Sequence, residues 1–505
     1  MFNFTLIISI AILLLAPIIV FFLGKWNDHA AKWSAFIFVL ISAVFFALSL
    51  GDVLNDGLGN IHSEGWNKWI NFNLGSKNVT IGFKLIADSL SFPIAAIIFI
   101  LSLAAVMYSF GYMKKEENQG AYYALLVLYI AGMVGVILAG DLVQFYVFWE
   151  LMLIPSYFII AKWGSKPNSV KIAFKYFMFT HVGAMAILIG IGGLWAYGSA
   201  SGSFLIANIN MTAVSKTVTL VLTILFLLGF AVKMAIFPLH SWLPDTHGEA
   251  PTPISAILSG VMIETAAYAI LRICTDILDM GSNVTFTWVL VGLAVFTMVY
   301  GGIMALAQKD TKRLFAYSSI SQMGYIFFGL GTFTAFGATG SMFHIVSHAL
   351  AKGTLFMVAG ILMTQIGHHK GRDIKQLGGL AYKMPITAIV ALIAALSLSG
   401  LPPLAGFMSE WIIFEGGLAS GNPLGIIAIF MAVLSTALTA TYTLLFMKNV
   451  FLGPEKEEFK DVKDPSPYMW APLVVLALLT FIIGILPNSV LTFVTDAVAK
   501  IFGIT

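Results

Sequence analysis

Long, continuous apolar runs dominate the chain, and polar residues do not alternate with apolar ones at a period of two. A helix needs roughly 20 apolar residues to cross the hydrocarbon of a bilayer. The continuity of the runs argues for helices over lipid-facing strands. Fourteen spans are predicted: residues 4–23, 33–50, 86–110, 121–139, 141–161, 172–197, 217–240, 253–273, 285–307, 316–333, 338–365, 385–409, 423–447 and 468–496. The fourth and fifth meet at Gly140-Asp141, which requires a tight turn. The first carries no early Lys or Arg and no small-residue cleavage site, so it reads as a retained span rather than a signal peptide. Two spans are interrupted by proline, at Pro238 to Pro244 in the seventh and at Pro402-Pro403 in the twelfth. Proline removes a backbone donor and clashes with the preceding turn. The freed groups are tolerated at membrane depth only where protein or water covers them. Breaks five spans apart predict two inverted five-helix repeats, 121–273 and 285–447. A three-helix part, 1–110, precedes them with an extramembrane cap at about 51–85, and 448–505 supplies a loop and the last span. The expected fold is an all-α integral membrane protein of about 14 transmembrane helices.

Composition agrees. Of the 505 residues 59% are hydrophobic and 10% charged, with a mean hydropathy of +0.93. A soluble protein carries about a quarter charged residues. Nineteen of the 27 Lys and Arg fall in loops after odd-numbered spans and six on the opposite side, while Lys233 and Lys352 lie inside spans. The positive-inside rule then puts both termini on the non-cytoplasmic side of a bacterial or archaeal cytoplasmic membrane. The single cysteine, Cys274, excludes an internal disulfide framework and any Cys-rich zinc or iron–sulfur site. No nucleotide-binding motif opens a helix after a strand, and a net charge of +3 gives no reason to expect nucleic acid.

Ionisable residues deep in a span cost roughly 3 kcal/mol each on insertion scales. Five need a shared reason: Glu150, Lys233, Glu264, Lys352 and Glu410. His344, His348 and Lys352 recur every fourth residue and so share one helical face. Histidine titrates near neutral pH, which suits such a column to proton transfer. A lone membrane histidine serves equally well to fasten helices together. Three titratable groups on one face, with four more elsewhere, favour a proton relay. His240 and His247, with Asp245 and Glu249, form either a proton entry or a solvated helix end. His368 and His369 read as loop residues, and Asp310, Lys312 and Arg313 as positive-inside anchors first and relay residues second. No His pair has a third ligand at suitable spacing, so no metal is expected.

These stretches resemble the antiporter-like proton-pumping subunits of respiratory complex I, of subunit M or chain 4 type, which are similar to the large subunits of Mrp-type cation/proton antiporters. The resemblance rests on Asp141-Leu-Val-Gln-Phe-Tyr-Val-Phe-Trp-Glu150, Ala231-Val-Lys233 through Pro251, Asp310-Thr-Lys312-Arg313 through Gly324-Tyr, and Leu401-Pro-Pro-Leu-Ala-Gly-Phe-Met-Ser-Glu410. It implies a midplane chain of charged residues and water, with Glu150 pairing Lys233 and Glu410 on the exit side. It also implies that flavin, iron–sulfur clusters and quinone belong to partner subunits and none to this chain. Other antiporter-like and quinone-site subunits would then be its partners. One departure stands out: where the family usually has a lysine, this chain has Glu264. That, with Lys352, leaves open a relative using another electron donor, an energy-converting hydrogenase subunit, or a Na⁺/H⁺ antiporter subunit.

Overall fold

The computed structural model describes residues 4–55, 60–75, 77–165, 168–421 and 423–504. Residues 56–59 and 76 of the expected cap, and Lys166 of the charge count, lie outside the described residues.

The helices are α1 (Thr5–Trp26), α2 (Asp28–Asn55), α3 (Ser91–Tyr112), α4 (Gln119–Leu138), α5 (Leu142–Trp163), α6 (Ser169–Gly198), α7 (Lys216–Met234), α8 (Leu243–Glu249) and α9 (Thr252–Thr275). They continue as α10 (Val284–Leu306), α11 (Thr311–Gly331), α12 (Ala335–Ile366), α13 (Pro385–Leu398), α14 (Ala405–Ala419), α15 (Pro423–Val450), α16 (Pro467–Ile485) and α17 (Asn488–Ile501). Among the described residues, 12 helices are long and apolar enough to cross a membrane. α11 is long enough at 21 residues, but its Thr311, Ser318, Ser319, Ser321 and Gln322 make it too polar to count by composition. Its polar groups turn inward, as in the 2.6 Å bond between Ser319 and Ser259. The twelfth predicted span is two short helices, α13 and α14, because the chain cannot stay helical through Pro402-Pro403. The fourteenth ends at Ile485, before Pro487, and the rest forms the separate helix α17. α7 stops at Met234, where Ala235 takes a left-handed conformation, so the predicted 217–240 span is shorter than expected.

The fold departs from all-α in the cap. β1 (His62–Leu74) and β2 (Lys77–Ala87) form an antiparallel hairpin. This segment mixes Trp, Ile and Val with polar residues and lacks a continuous apolar run, so it suits a pleated ribbon. It seals one end of the bundle. Glu64 accepts from Leu6 N at 3.1 Å, Ile7 N at 3.0 Å and Thr5 Oγ1 at 3.0 Å, satisfying the free N–H groups that open α1. Asp141 caps α5 through Val143 N at 2.9 Å and also accepts from Gly82 N at 2.8 Å, which ties the hairpin to the tight turn after α4.

α9 and α12 are buried along their membrane-crossing lengths, and α11 is nearly so. α9 widens to i→i+5 hydrogen bonding over Leu258–Met262 and Ile270–Thr275, on either side of Glu264. Such widened turns recur at functional sites.

Candidate functional site

Glu150 lies on α5 one residue after Trp149, and Lys233 closes the last turn of α7. They do not form the expected ion pair. The Glu150 carboxylate meets His181 of α6, with Nδ1 3.1 Å from Oε2 and 3.3 Å from Oε1. His181 stacks on Phe177 at 5.3 Å. The Lys233 ammonium, only 1% exposed, lies 5.3 Å from the Trp149 ring centroid and has no hydrogen-bond partner among the described residues. An aromatic face attracts a cation but does not replace an acid.

The middle of the bundle holds a second cluster. Glu264 on α9 and His348 on α12 are fully buried and bonded to each other through Oε1 and Nδ1. Glu264 Oε2 and His348 Nε2 have no partner among the described residues. Lys352, one turn further along α12, lies within electrostatic reach of Glu264. Its ammonium donates to Ser318 Oγ and, at 3.2 Å, to the Phe315 carbonyl, both on α11. The expected His-His-Lys column is therefore not bonded end to end. His344 and His348 stack with ring centroids 6.0 Å apart, but Lys352 turns to α11.

His344 links this cluster to the second broken helix. Its Nε2 donates to Gln322 Oε1 at 2.8 Å, which leaves Nδ1 as an acceptor 2.9 Å from the Ser409 hydroxyl. Glu410 follows Ser409 on α14 and is 3% exposed. Thr436 of α15 donates to Glu410 Oε2 at 2.9 Å and lies 3.0 Å from the Tyr325 hydroxyl. Tyr325 in turn stacks beside His344 at 6.2 Å.

The structure brings six of the predicted residues into two groups, with Glu150 and Lys233 at one and Glu264, His344, His348 and Lys352 at the other; Glu410 joins the second through Ser409. His240 stands apart, 3.1 Å from the Tyr300 hydroxyl. His247 is not at a solvated end: it is fully buried, stacks on Phe356 at 4.7 Å, and neither ring nitrogen has a partner among the described residues. Lys312 is not a surface anchor either. It is fully buried and donates to the Ala250 carbonyl, because the segment after α8 packs over the start of α11. Asp310 caps α11 through Lys312 N at 2.9 Å and holds Arg372 at 2.7 Å. Among the described residues no group of three His, Cys, Asp or Glu could hold a metal ion.

A family model described as NADH:quinone oxidoreductase/Mrp antiporter, TM matches residues 139–436, the stretch that holds every residue of both clusters. The chain belongs to this family. A second model, described as NADH-Ubiquinone oxidoreductase (complex I), chain 5 N-terminus, matches residues 69–123. NADH-quinone oxidoreductase subunit M of Rickettsia prowazekii is 31% identical over 498 residues, covering 96% of each chain. A Na(+)/H(+) antiporter subunit of Alkalihalophilus pseudofirmus is 33% identical over 503 residues; the match covers 94% of this chain but 60% of that protein. Respiratory complex I from Thermus thermophilus contains a chain that superposes with a TM-score of 0.82 over 100% of both, at 24% identity, a likeness of fold. This chain is thus an antiporter-like, ion-transporting membrane subunit.

Within that family frame, sequence reasoning missed His181, Ser318, Gln322, Tyr325 and Thr436. His181 lies in the apolar run 172–197 and was a visible signal; the others are ordinary polar residues until packing aims them inward. Gly400 reads in the sequence only as part of the break. Its φ is +64°, and a Cβ there would stand 2.7 Å from Glu410 Oε2. Gly400→Ala should therefore meet the left-handed penalty of about 1–2 kcal/mol and crowd the carboxylate. The expected result is a lower thermal midpoint of the detergent-solubilised protein and weaker ion transport. A midpoint and transport equal to wild type would show that the glycine is dispensable.

Proposed function

We propose that this chain translocates protons as a membrane subunit of a complex I-like, redox-driven pump, carrying them through buried charged residues and water across the bundle. The reading takes α11 and the α13–α14 pair as spans alongside the 12 apolar helices, which makes 14, with both termini on the non-cytoplasmic side. The breaks at Met234–Leu243 and Leu398–Ala405 would then fall at matching places in two inverted five-helix repeats. Flavin, iron–sulfur and quinone chemistry would belong to partner subunits, and this chain would do no redox catalysis itself.

The observation that supports it best is the lateral series from the Glu150–His181 contact, through Lys233 and the Glu264–His348 pair, to His344, Ser409 and Glu410. Glu150 has two basic neighbours. Pairing with Lys233 holds the lysine proton in place, and turning to His181 leaves that proton free to move inward. Two unit charges ~4 Å apart at an effective dielectric of ~20 interact by about 4 kcal/mol, roughly a thousandfold in proton affinity. That suffices to load or unload one proton. The next acceptors are the Glu264–His348 pair and then Glu410.

The test is proton uptake by inverted membrane vesicles containing the whole assembly, driven by its electron donor. Glu410→Gln should cut uptake by at least about tenfold while the assembly stays intact on a native gel. Undiminished uptake would remove Glu410 from the path. The likeness to the Alkalihalophilus antiporter protein favours a second reading, Na⁺/H⁺ exchange without redox chemistry. Sodium-driven proton movement in vesicles without electron donor would support that reading over the first.

A further inference from the structure

At the end of the bundle where α1 hands over to α2 and α3 to α4, a pocket of about 870 Å³ opens. Its wall carries Lys32, Lys114, Lys115 and Lys162 against one acid, Glu116. Among the described residues none of these four lysines forms an ion pair with a carboxylate. Lys32 instead lies 5.6 Å from the Phe110 ring centroid and Lys162 4.8 Å from that of Trp163. Four ammonium groups around one concavity repel each other and leave a positive field that the protein itself does not neutralise.

Aromatic rings form the rim. Trp33 packs on Phe110 at 5.1 Å and on Tyr468 at 6.4 Å, and Phe110 packs on Tyr468 at 5.7 Å. Trp33 and Tyr468 are each 42% exposed. Exposed Trp and Tyr beside lysines are the residue types of a membrane–water boundary, with rings at headgroup level and charged tips in water. One turn along α2, Ile37 is 47% exposed, and two turns along α16, Val475 is 53% exposed. The pocket thus has a cationic wall above and an open apolar face below.

We infer that this pocket binds the phosphate-bearing headgroup of an anionic phospholipid. Its phosphate would sit among the four lysines, its glycerol region beside Trp33 and Tyr468, and its acyl chains along the outer faces of α2 and α16. A free phosphate would answer to the lysines but would have no use for the apolar continuation. The volume lies within the range of small-molecule sites and holds a headgroup with room for water. The site lies away from both charged clusters and does not depend on the transport reading.

The test is native mass spectrometry of the detergent-purified full chain with added phosphatidylglycerol or phosphatidylcholine. The wild type should retain phosphatidylglycerol at least about tenfold better, and a K32Q/K114Q/K115Q/K162Q variant should lose that preference. A W33A/Y468A variant should retain less phosphatidylglycerol, with the lysines still present. If the quadruple variant does not run as a single species on gel filtration, K114Q and K115Q, whose side chains are exposed, replace it and should each lower the preference. Equal retention of both lipids, a preference untouched by the lysine variants, or complete displacement of phosphatidylglycerol by millimolar inorganic phosphate would overturn the inference. The last outcome would make the pocket a free-phosphate site.

Discussion

Lys233→Arg should abolish proton translocation as thoroughly as Lys233→Ala, at least about tenfold for each, with the assembly intact in both cases. The two variants test different properties of one side chain. Arginine keeps the positive charge and can still stack on Trp149, but it does not give up its proton in a protein. A role in fastening helices would survive the exchange to arginine, whereas a role in passing a proton would not. Assembly should survive alanine for a related reason. Lys233 has no hydrogen-bond partner among the described residues, so its removal leaves no broken bond behind. Deleting one member of a closed buried ion pair costs about 3–5 kcal/mol, and no closed pair exists here because Glu150 is held by His181 at 3.1 Å. The measurement is proton uptake by vesicles alongside native-gel assembly. Wild-type uptake by Lys233→Arg would show that Lys233 carries no proton.

What the sequence revealed and what it hid follow from the physics of a bilayer. Apolar run length exposes a span whenever lipid touches it, so α4 to α6 are legible within a few residues. α11 was legible as a run although its serines and Gln322 lower its hydropathy, because those groups face protein. Proline marks a break by its own chemistry, so both interruptions were legible. Their effect on the helix ends was less so: α7 stops four residues before Pro238. The hairpin is legible only as a cap, since its short mixed segments carry no run at either the helical or the membrane length. Buried ionisable residues announce themselves, so Glu150, Lys233, Glu264, Lys352 and Glu410 could be singled out. Their partners could not. Whether Glu150 faces Lys233 or His181, and whether Lys352 faces His348 or Ser318, is decided by rotamer and by the packing of helices far apart in sequence. Lys312 and His247 show the converse error. Their neighbours are polar and lie near helix ends, which leaves a solvated position open, yet Lys312 reaches the Ala250 carbonyl after α8 and His247 is buried against Phe356.

Glu264→Lys should disable this protein, even though the resemblance implies that a lysine at this position is usual for the family. The reason lies in what surrounds it here. Glu264 is the acid bonded to His348, and Lys352 is in electrostatic reach on the same helix as that histidine. A lysine in its place would leave two buried basic groups without their acid and add a third. Like charges repel strongly where little water screens them, and a buried charge without its acid carries its desolvation cost uncompensated. Poor assembly on a native gel and no proton uptake are the expected results. The double variant E264K/K352E restores one acid and two basic groups to the cluster, and it should recover assembly. Glu264→Gln separates folding from transport. Its amide can still bond His348 but cannot take up a proton, so the assembly should form and uptake should fall by at least about tenfold. Normal assembly and uptake by Glu264→Lys would mean that the identity of the central group is irrelevant. Failure of Glu264→Lys together with normal uptake by Glu264→Gln would reduce the acid to a counter-charge. Only loss of uptake in an assembled Glu264→Gln variant places a proton on Glu264 itself, and with it an acid–histidine pair at the point where the resemblance implies a lysine.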